Sequence, residues 1–92
     1  MNPAWSVIVP TFDRHGTLAR CLDQLRGFGE VILVDSFSTD ATLEIARRYP
    51  VVIYSRPYDS AAKQKNWAID RARSEWVLIL DADEVLSARL LS

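Results

Sequence analysis

The sequence predicts an α/β fold with a mostly parallel sheet and helices on both of its faces. Two continuous apolar runs, at residues 31–34 and 76–80, have the composition of strands that are buried on both faces, as in parallel sheets. Strand and helix patterns also alternate along the chain with short connections, which favours crossovers within one sheet. Each run is followed by an aspartate, Asp35 or Asp81. Because parallel strands end at the same edge, both carboxylates are expected at the carboxyl edge, where open α/β sheets bind ligands.

The first half of the chain contains two predicted strands with a helix between them. Residues 6–10 predict a strand that ends at a proline, and a second strand is expected at about residues 30–35. Between them, one apolar stripe predicts a helix of about two to three turns that ends at the glycines of segment 26–29. The stripe consists of Leu18, Cys21, Leu22 and Leu25.

The second half continues the alternation. Segment 36–40 offers N-caps for a helix that ends before Pro50, and a short strand is expected at residues 51–54. A polar helix follows, and a fourth strand is expected at about residues 75–80 before a last helix that Ser87 can cap. The residues on helical spacing are Thr42, Ile45, Ala46 and Tyr49 in the first of these helices, Ala61, Ala68, Ile69 and Ala72 on the inner face of the polar helix, and Leu91 at the end of the last.

Composition excludes several classes of protein. The 92 residues carry a formal net charge of -1, with the charges mixed along the chain, so no surface for nucleic acid is predicted. Cys21 is the only cysteine, which excludes an internal disulfide and fits a reducing, cytoplasmic setting. The N-terminus resembles neither a signal peptide nor a membrane span. An apolar stripe of Leu86, Leu90 and Leu91 predicts a fragment of a longer fold and self-association through that surface.

The clearest candidate site is Asp81-Ala-Asp83, directly after the last apolar strand. Two carboxylates at this spacing suit magnesium or manganese, which take further ligands from substrate phosphates. The alternative is that these acidic residues cap the following helix. Asp35, at the end of the second strand, can accept hydrogen bonds from a base or a ribose. Asp40 can equally cap a helix or contact a ligand.

The polar helix offers Lys63, Lys65 and Asn66 to diphosphate oxygens, although a solvated helix face is the plainer interpretation. His15 has no acidic partner that the sequence identifies, so a catalytic role is not expected. Cys21 is predicted in the core, as are Trp5, Trp67 and Trp76. The chain contains neither a dinucleotide-binding glycine motif nor a Walker lysine motif.

Four segments, in this order, resemble glycosyltransferase family 2 of the GT-A fold. They are the opening strand Ser6-Val-Ile-Val-Pro-Thr11, the Asp-x-x-Ser-x-Asp segment at 35–40, Lys63-Gln-Lys-Asn66, and the metal motif Asp81-Ala-Asp83-Glu84. The resemblance extends over nearly the whole chain and is strongest to bacterial lipopolysaccharide-core β-glucosyltransferases. It implies a Rossmann-like nucleotide-diphospho-sugar transferase fold, with residues 1–92 as the N-terminal, nucleotide-sugar-binding half of the domain.

The resemblance also implies roles for single residues. Asp35 would bind the base, usually uracil; Asp83 would hold Mn²⁺ or Mg²⁺ at the diphosphate, with Asp81 near the ribose and the metal. The other implied nucleotide-binding residues are Thr11, Ser38, Lys63 and Asn66. Two departures from the family, Asp13-Arg14 after the first strand and Phe37 where a small residue is frequent, leave the donor preference open.

The implied reaction is an inverting, metal-dependent transfer from a UDP-sugar to a glycan or lipopolysaccharide-type glycolipid acceptor, in the cytoplasm or at the inner face of the cytoplasmic membrane. Its general base is expected beyond Ser92, so catalysis by these 92 residues alone is not expected. One alternative is a non-catalytic nucleotide-binding or interaction module. Another is a nucleotidyltransferase, which would normally carry a glycine-rich basic stretch where this chain has segment 11–16.

Overall fold

The structure, a computed structural model, describes residues 2–82, with the side chains of residues 5–27 and 29–82. Asp83, Glu84, the predicted last helix and the apolar stripe of leucines all lie outside the described residues. The predictions made for them therefore stay predictions.

The described chain forms a four-stranded sheet in which every neighbouring pair of strands is parallel. The strand order is β3-β2-β1-β4, so β1 and β2 are central. The elements alternate as the sequence predicts, which confirms the α/β fold. They are β1 (Asn2–Thr11), α1 (His15–Gln24), β2 (Phe28–Asp35), α2 (Thr42–Ala46), β3 (Val52–Ser55), α3 (Ala61–Ile69) and β4 (Trp76–Ile79).

Alternating side chains of the two central strands form a separate core on each face of the sheet. On one face, Val7, Val9 and Leu33 pack with the buried side of α1 and with Ala46. On the other face, a smaller core of Ile8, Ile32, Val34 and Ala68 is covered by α3. Helices therefore cover both faces, as predicted, and both central strands are buried on two sides.

The two later helices are shorter than the sequence predicts. In α2 the helix ends at Ala46, and Tyr49 instead donates its hydroxyl to Asp23 Oδ1 on α1 (2.9 Å). The helix α3 ends at Ile69 rather than at Ala72. Its inner face was predicted wrongly at Ala61 and Ile69, which are exposed.

The buried residues of α3 are Gln64 and Ala68, one helical turn apart on the side that faces the sheet. Small apolar residues were therefore a poor guide to this inner face, because a glutamine occupies part of it. Cys21 is buried, as predicted, whereas Trp76 is exposed and stacks obliquely on Trp5. Among residues 2–82, no helix is long and apolar enough to cross a membrane.

Candidate functional site

A cleft of about 290 Å³ opens at the carboxyl edge, between the ends of β1 and β4. In the sheet, the chain passes from β1 to β2 and then to β3 on one side of β1, whereas β4 lies on the other side. The cleft therefore lies at the point where the strand order reverses. Such switch points are where open α/β sheets bind ligands. The cleft is lined by Pro10, Thr11, Phe12, Arg14, Ser36, Tyr58, Gln64, Asp81 and Ala82.

Pro10 explains why the sheet opens here. The register between β1 and β4 ends at the pair Ile8 and Ile79, and the last hydrogen bond runs from Leu80 N to Ile8 O (3.0 Å). Pro10 has no N–H to donate, so the β1 backbone offers no donor at this position and β4 separates from it. On the other side of β1 the pairing continues to Thr11 and Asp35.

Asp35 lies beneath the surface of this edge, with 0% of its area exposed. Its Oδ1 accepts hydrogen bonds from the Thr11 hydroxyl (2.9 Å) and the Ser38 hydroxyl (2.5 Å), and its Oδ2 accepts one from Ser38 N (2.7 Å). Three of the predicted nucleotide-binding residues are thus brought together, bonded to one another. In the described geometry Asp35 supports the loop after β2, and direct contact with a base stays a prediction.

The loops after β1 and β2 are joined by hydrogen bonds on both sides of Asp13. Asp13 N donates to Ser38 Oγ (2.8 Å), and Thr39 N donates to Asp13 Oδ1 (2.7 Å). One residue further, Arg14 N donates to Thr42 Oγ1 (2.8 Å). The two loops therefore form one rigid wall beside the cleft, and much of the Asp-x-x-Ser-x-Asp segment builds that wall.

His15 has an acidic partner, Asp40, that the sequence did not identify. Its Nδ1 lies 2.6 Å from Asp40 Oδ2, a contact between residues that are 25 positions apart in sequence. Asp40 also accepts hydrogen bonds from the N–H and hydroxyl of Thr42, the first residue of α2. Desolvation raises the pKa of Asp40, but the hydrogen bonds from Thr42 and His15 outweigh it and hold the pKa well below its usual range.

Two residues in this wall have left-handed backbone conformations. Asp13 has a φ of 49° and Phe37 a φ of 57°. Aspartate tolerates this region, whereas a bulky aromatic residue is strained there. Phe37 is also 57% exposed, so little packing offsets the strain. The bulky residue that departs from the family pattern thus occupies a position whose backbone favours glycine.

Gln64 approaches the cleft from α3 and is only 3% exposed. Its Nε2 donates to Ser36 Oγ at 3.1 Å. Lys63 and Asn66, predicted to bind the nucleotide, are exposed on the same helix and are not among the residues that line the cleft. Their roles stay predictions. Sequence patterns did not single out Gln64, although its four-residue spacing from Ala68 was a usable signal.

Two aromatic side chains, Phe12 and Tyr58, extend the cleft. With Ser36 they line an adjoining pocket of about 360 Å³ whose walls are almost entirely apolar. The side chains are 54% and 61% exposed, which is unusual for large hydrophobic residues. Sequence patterns singled out neither of them. The polar cleft and the apolar pocket share Phe12, Ser36 and Tyr58, so together they form one continuous site.

Asp81 is exposed and lines the cleft, as expected for a residue that could bind a metal ion. Within residues 2–82, no group of three or more histidine, cysteine or carboxylate side chains could hold a metal. Magnesium commonly uses one or two carboxylates and completes its shell with water and substrate phosphates. The exposed carboxylate of Asp81 beside an open cleft fits that pattern.

Comparison with known sequences identifies relatives over almost the entire chain. The sequence profile described as "Glycosyl transferase family 2" matches residues 6–92. The lipopolysaccharide core biosynthesis glycosyltransferase LpsC of Rhizobium meliloti is 29% identical over 90 residues, covering 92% of this chain and 33% of LpsC. A PGL/p-HBAD biosynthesis glycosyltransferase of Mycobacterium tuberculosis is 33% identical over 94 residues, covering 91% of this chain and 37% of that protein.

A solved structure has the same fold. Glucosyl-3-phosphoglycerate synthase from Mycobacterium tuberculosis, in complex with Mn²⁺, UDP and glucosyl-3-phosphoglycerate, superimposes with a TM-score of 0.72 at 22% identity. The match covers 88% of this chain and 34% of that protein. This chain therefore spans about a third of the length of the relatives it matches.

Proposed function

The chain belongs to glycosyl transferase family 2, and from this premise we propose that its cleft binds the nucleotide-diphosphate part of a UDP-sugar. The observation that carries the proposal is the continuity of an apolar, aromatic pocket with a polar cleft that contains both Arg14 and Asp81. A nucleotide combines the same two chemistries, a flat base and a charged diphosphate. The relative structure that contains UDP and Mn²⁺ supports the same assignment.

In this proposal the base enters the apolar pocket beside Phe12 and Tyr58. Aromatic rings stack on nucleobases, and exposed rings can do so without rearrangement of the core. Thr11 and Ser38 line or support the pocket, and Asp35 fixes both through its hydrogen bonds. The joined loops therefore serve the nucleotide by holding Phe12 in place.

The diphosphate lies at the polar end, where Arg14 offers a guanidinium and Asp81 a carboxylate. The carboxylate, with Asp83 beyond the described residues, would hold Mn²⁺ or Mg²⁺. The bound ion would neutralise charge on the diphosphate as it leaves. Arg14 would add a second positive charge on the leaving group, because guanidinium groups bind phosphate oxygens bidentately.

The finer parts of the proposal concern the whole enzyme. We propose an inverting, metal-dependent transfer, with the general base in the part of the relatives that follows this chain. The LpsC relative supports a glycan or lipopolysaccharide-type acceptor, and such an acceptor would favour peripheral attachment at the inner face of the cytoplasmic membrane. The Mycobacterium relative is named for a different biosynthesis, so the acceptor is the least constrained part of the proposal.

Calorimetric titration of UDP into the chain, with and without Mn²⁺, tests the proposal. We expect Mn²⁺-dependent binding that Asp81→Asn weakens by about 10- to 100-fold, the range found when metal coordination is disturbed. Asp70→Asn is the matched control, since Asp70 is also exposed but caps the far end of α3. Equal UDP affinity in Asp81→Asn and the parent would remove the metal assignment. No binding by the folded chain would favour a non-catalytic interaction module.

A further inference from the structure

Gln64 is the one buried side chain of α3 that reaches the cleft with hydrogen-bonding capacity to spare. We propose that its amide binds the ribose of the nucleotide and makes the cleft select ribonucleotides over their deoxy analogues. The inference rests on the proposed function, because it requires a nucleotide in this cleft. It concerns a different property, the discrimination between ribose and deoxyribose in the nucleotide. It can therefore be wrong even if the nucleotide binds in this cleft.

The first observation concerns the hydrogen bonds that the Gln64 amide makes. A primary amide has two N–H donors and an oxygen with two lone pairs. Within residues 2–82, the side chain of Gln64 has one partner, the hydroxyl of Ser36, with Nε2 to Oγ at 3.1 Å and Oε1 to Oγ at 3.4 Å. A single hydroxyl can satisfy only part of this capacity. Both polar atoms of the amide are bonded to that hydroxyl, and the second N–H and a further lone pair can still bond to a ligand.

The second observation is where a further partner can come from. Gln64 lines the cleft although only 3% of its area is exposed, so the part of the residue that stays accessible faces the ligand space. The core that α3 covers on this face is apolar and contains Ile8, Ile32, Val34 and Ala68. A ligand in the cleft can therefore offer Gln64 polar groups that this core does not.

The third observation is the order of residues along the site. Ser36 lines both the apolar pocket and the polar cleft, whereas Gln64 and Asp81 line only the cleft. A nucleotide with its base beside Phe12 and its diphosphate at Asp81 therefore has its ribose next to Ser36 and Gln64. The two adjacent hydroxyls of a ribose each donate and accept hydrogen bonds, which matches the mixed donor and acceptor character of an amide.

A purely structural role for Gln64 makes a different prediction. In that case the bond to Ser36 only ties α3 to the loop after β2, and its loss would weaken the binding of every nucleotide by the same factor. A ribose contact instead changes the ratio between nucleotides that have and lack a hydroxyl. Sites that hydrogen-bond a ligand hydroxyl reject the analogue without it, because their own buried groups are left without a partner.

The experiment measures dissociation constants of UDP, 2′-deoxy-UDP and 3′-deoxy-UDP, with Mn²⁺ present, for the parent and for Gln64→Leu. We expect the parent to prefer UDP over at least one deoxy analogue by about tenfold, the effect of one well-formed hydrogen bond. Gln64→Leu should reduce that ratio to near one. Gln24→Leu, the same substitution at the other edge of the sheet, should keep the parental ratio.

Gln64→Asn provides a second variant if the leucine variant does not fold, since a shorter amide stays polar but withdraws from the cleft. It should also lose the preference. An unchanged ratio in a folded Gln64 variant, or no preference in the parent, would overturn this inference while UDP binding by the parent still upheld the proposed function. No UDP binding by the folded parent would overturn both.

Discussion

Both edges of the sheet carry polar networks, a smaller one at the amino edge and a larger one at the carboxyl edge. At the amino edge, Ser6 Oγ donates to Glu30 Oε1 (2.7 Å), Arg73 N donates to the same oxygen (3.0 Å), and Ser74 N donates to Ser6 Oγ (3.3 Å). A groove of about 370 Å³ beside them is larger than the cleft at the carboxyl edge. Each of these polar groups is nevertheless bonded to another part of the same chain.

At the carboxyl edge, hydrogen bonds also join the loops after β1 and β2. This edge has three further features. The exposed rings of Phe12 and Tyr58, two residues with left-handed backbone and the partly bonded amide of Gln64 lie there, although the amino edge also has an exposed ring, that of Trp76. None of these features lowers the free energy of the isolated chain. The comparison teaches that a groove beside bonded polar groups does not by itself mark a binding site, whereas backbone strain and spare hydrogen-bonding capacity beside a cleft do.

The largest expected effect is a difference in stability between variants of Asp35, the last residue of β2, and of Asp81, which follows β4. Asp35→Ala should lower the free energy of unfolding by about 2–4 kcal/mol, because Thr11 and Ser38 lose their acceptor within a buried site. Asp81→Ala, at an exposed position, should change it by less than about 0.5 kcal/mol. Urea denaturation measures both. Equal losses would mean that Asp35 does not support the wall of the cleft.

Two serines, one at each edge, give the next effect. Ser6→Ala should cost about 1–3 kcal/mol of stability, because Glu30 and Ser74 N lose a buried partner, and should leave UDP affinity unchanged. Ser36→Ala should cost a similar amount of stability, because the buried amide of Gln64 loses its partner, and should in addition weaken UDP binding. Denaturation and calorimetry on both variants check the contrast. Weaker UDP binding in Ser6→Ala would break the distinction between the edges.

Replacing either of two exposed phenylalanines by glycine should have a smaller effect on stability. The two replacements should act in opposite directions. Phe37→Gly should stabilise the chain by about 0.5–1 kcal/mol, because glycine adopts the left-handed conformation without strain. Phe12→Gly, at a position without that conformation, should destabilise it by a similar amount through the entropy of the unfolded chain. Thermal unfolding of the two variants measures the difference. Destabilisation by both would show that Phe37 is not strained.

The smallest effect is a pH dependence in the wall of the cleft. The folded pKa of Asp40 is held below its unfolded value of 3.8, so Asp40 contributes stability that is fully present above that value and is lost as the pH falls below it. Asp40→Asn should flatten the fall in unfolding free energy between about pH 4 and pH 2. Thr42→Val, which removes one donor, should give an intermediate slope. The same slope in all three proteins would contradict the assignment.

Local sequence patterns predicted the strands well, because β1, β2 and β4 are apolar runs bounded by proline or aspartate. They also predicted that Asp35 and Asp81 share an edge. They could not predict contacts between residues far apart in sequence. The pair His15 and Asp40 depends on how two loops meet, and the burial of Gln64 depends on which side of α3 faces the sheet. Local periodicity contains neither fact.

For the same reason, local patterns could not predict that Asp35 is buried and Asp81 exposed. Both Asp35 and Asp81 follow an apolar run, and the sequence predicts both at the ligand-binding edge, Asp35 beside a base or a ribose and Asp81 beside a metal ion. The structure separates them, because β1 pairs with β2 up to Asp35 but parts from β4 after Ile8. Strand pairing buries one carboxylate and exposes the other. Of the two aspartates, only Asp81 lines the cleft.

The central claim is that a nucleotide binds at the carboxyl edge and not in the larger groove at the amino edge. Two-dimensional ¹H–¹⁵N NMR of the chain during titration with UDP and Mg²⁺, a diamagnetic ion, tests it directly. We predict shifts of the backbone amides of Thr11, Arg14, Ser36, Gln64 and Asp81, with those of Glu30, Arg73 and Ser74 unmoved. Shifts confined to the amino edge, or a folded chain whose spectrum does not respond, would contradict the claim.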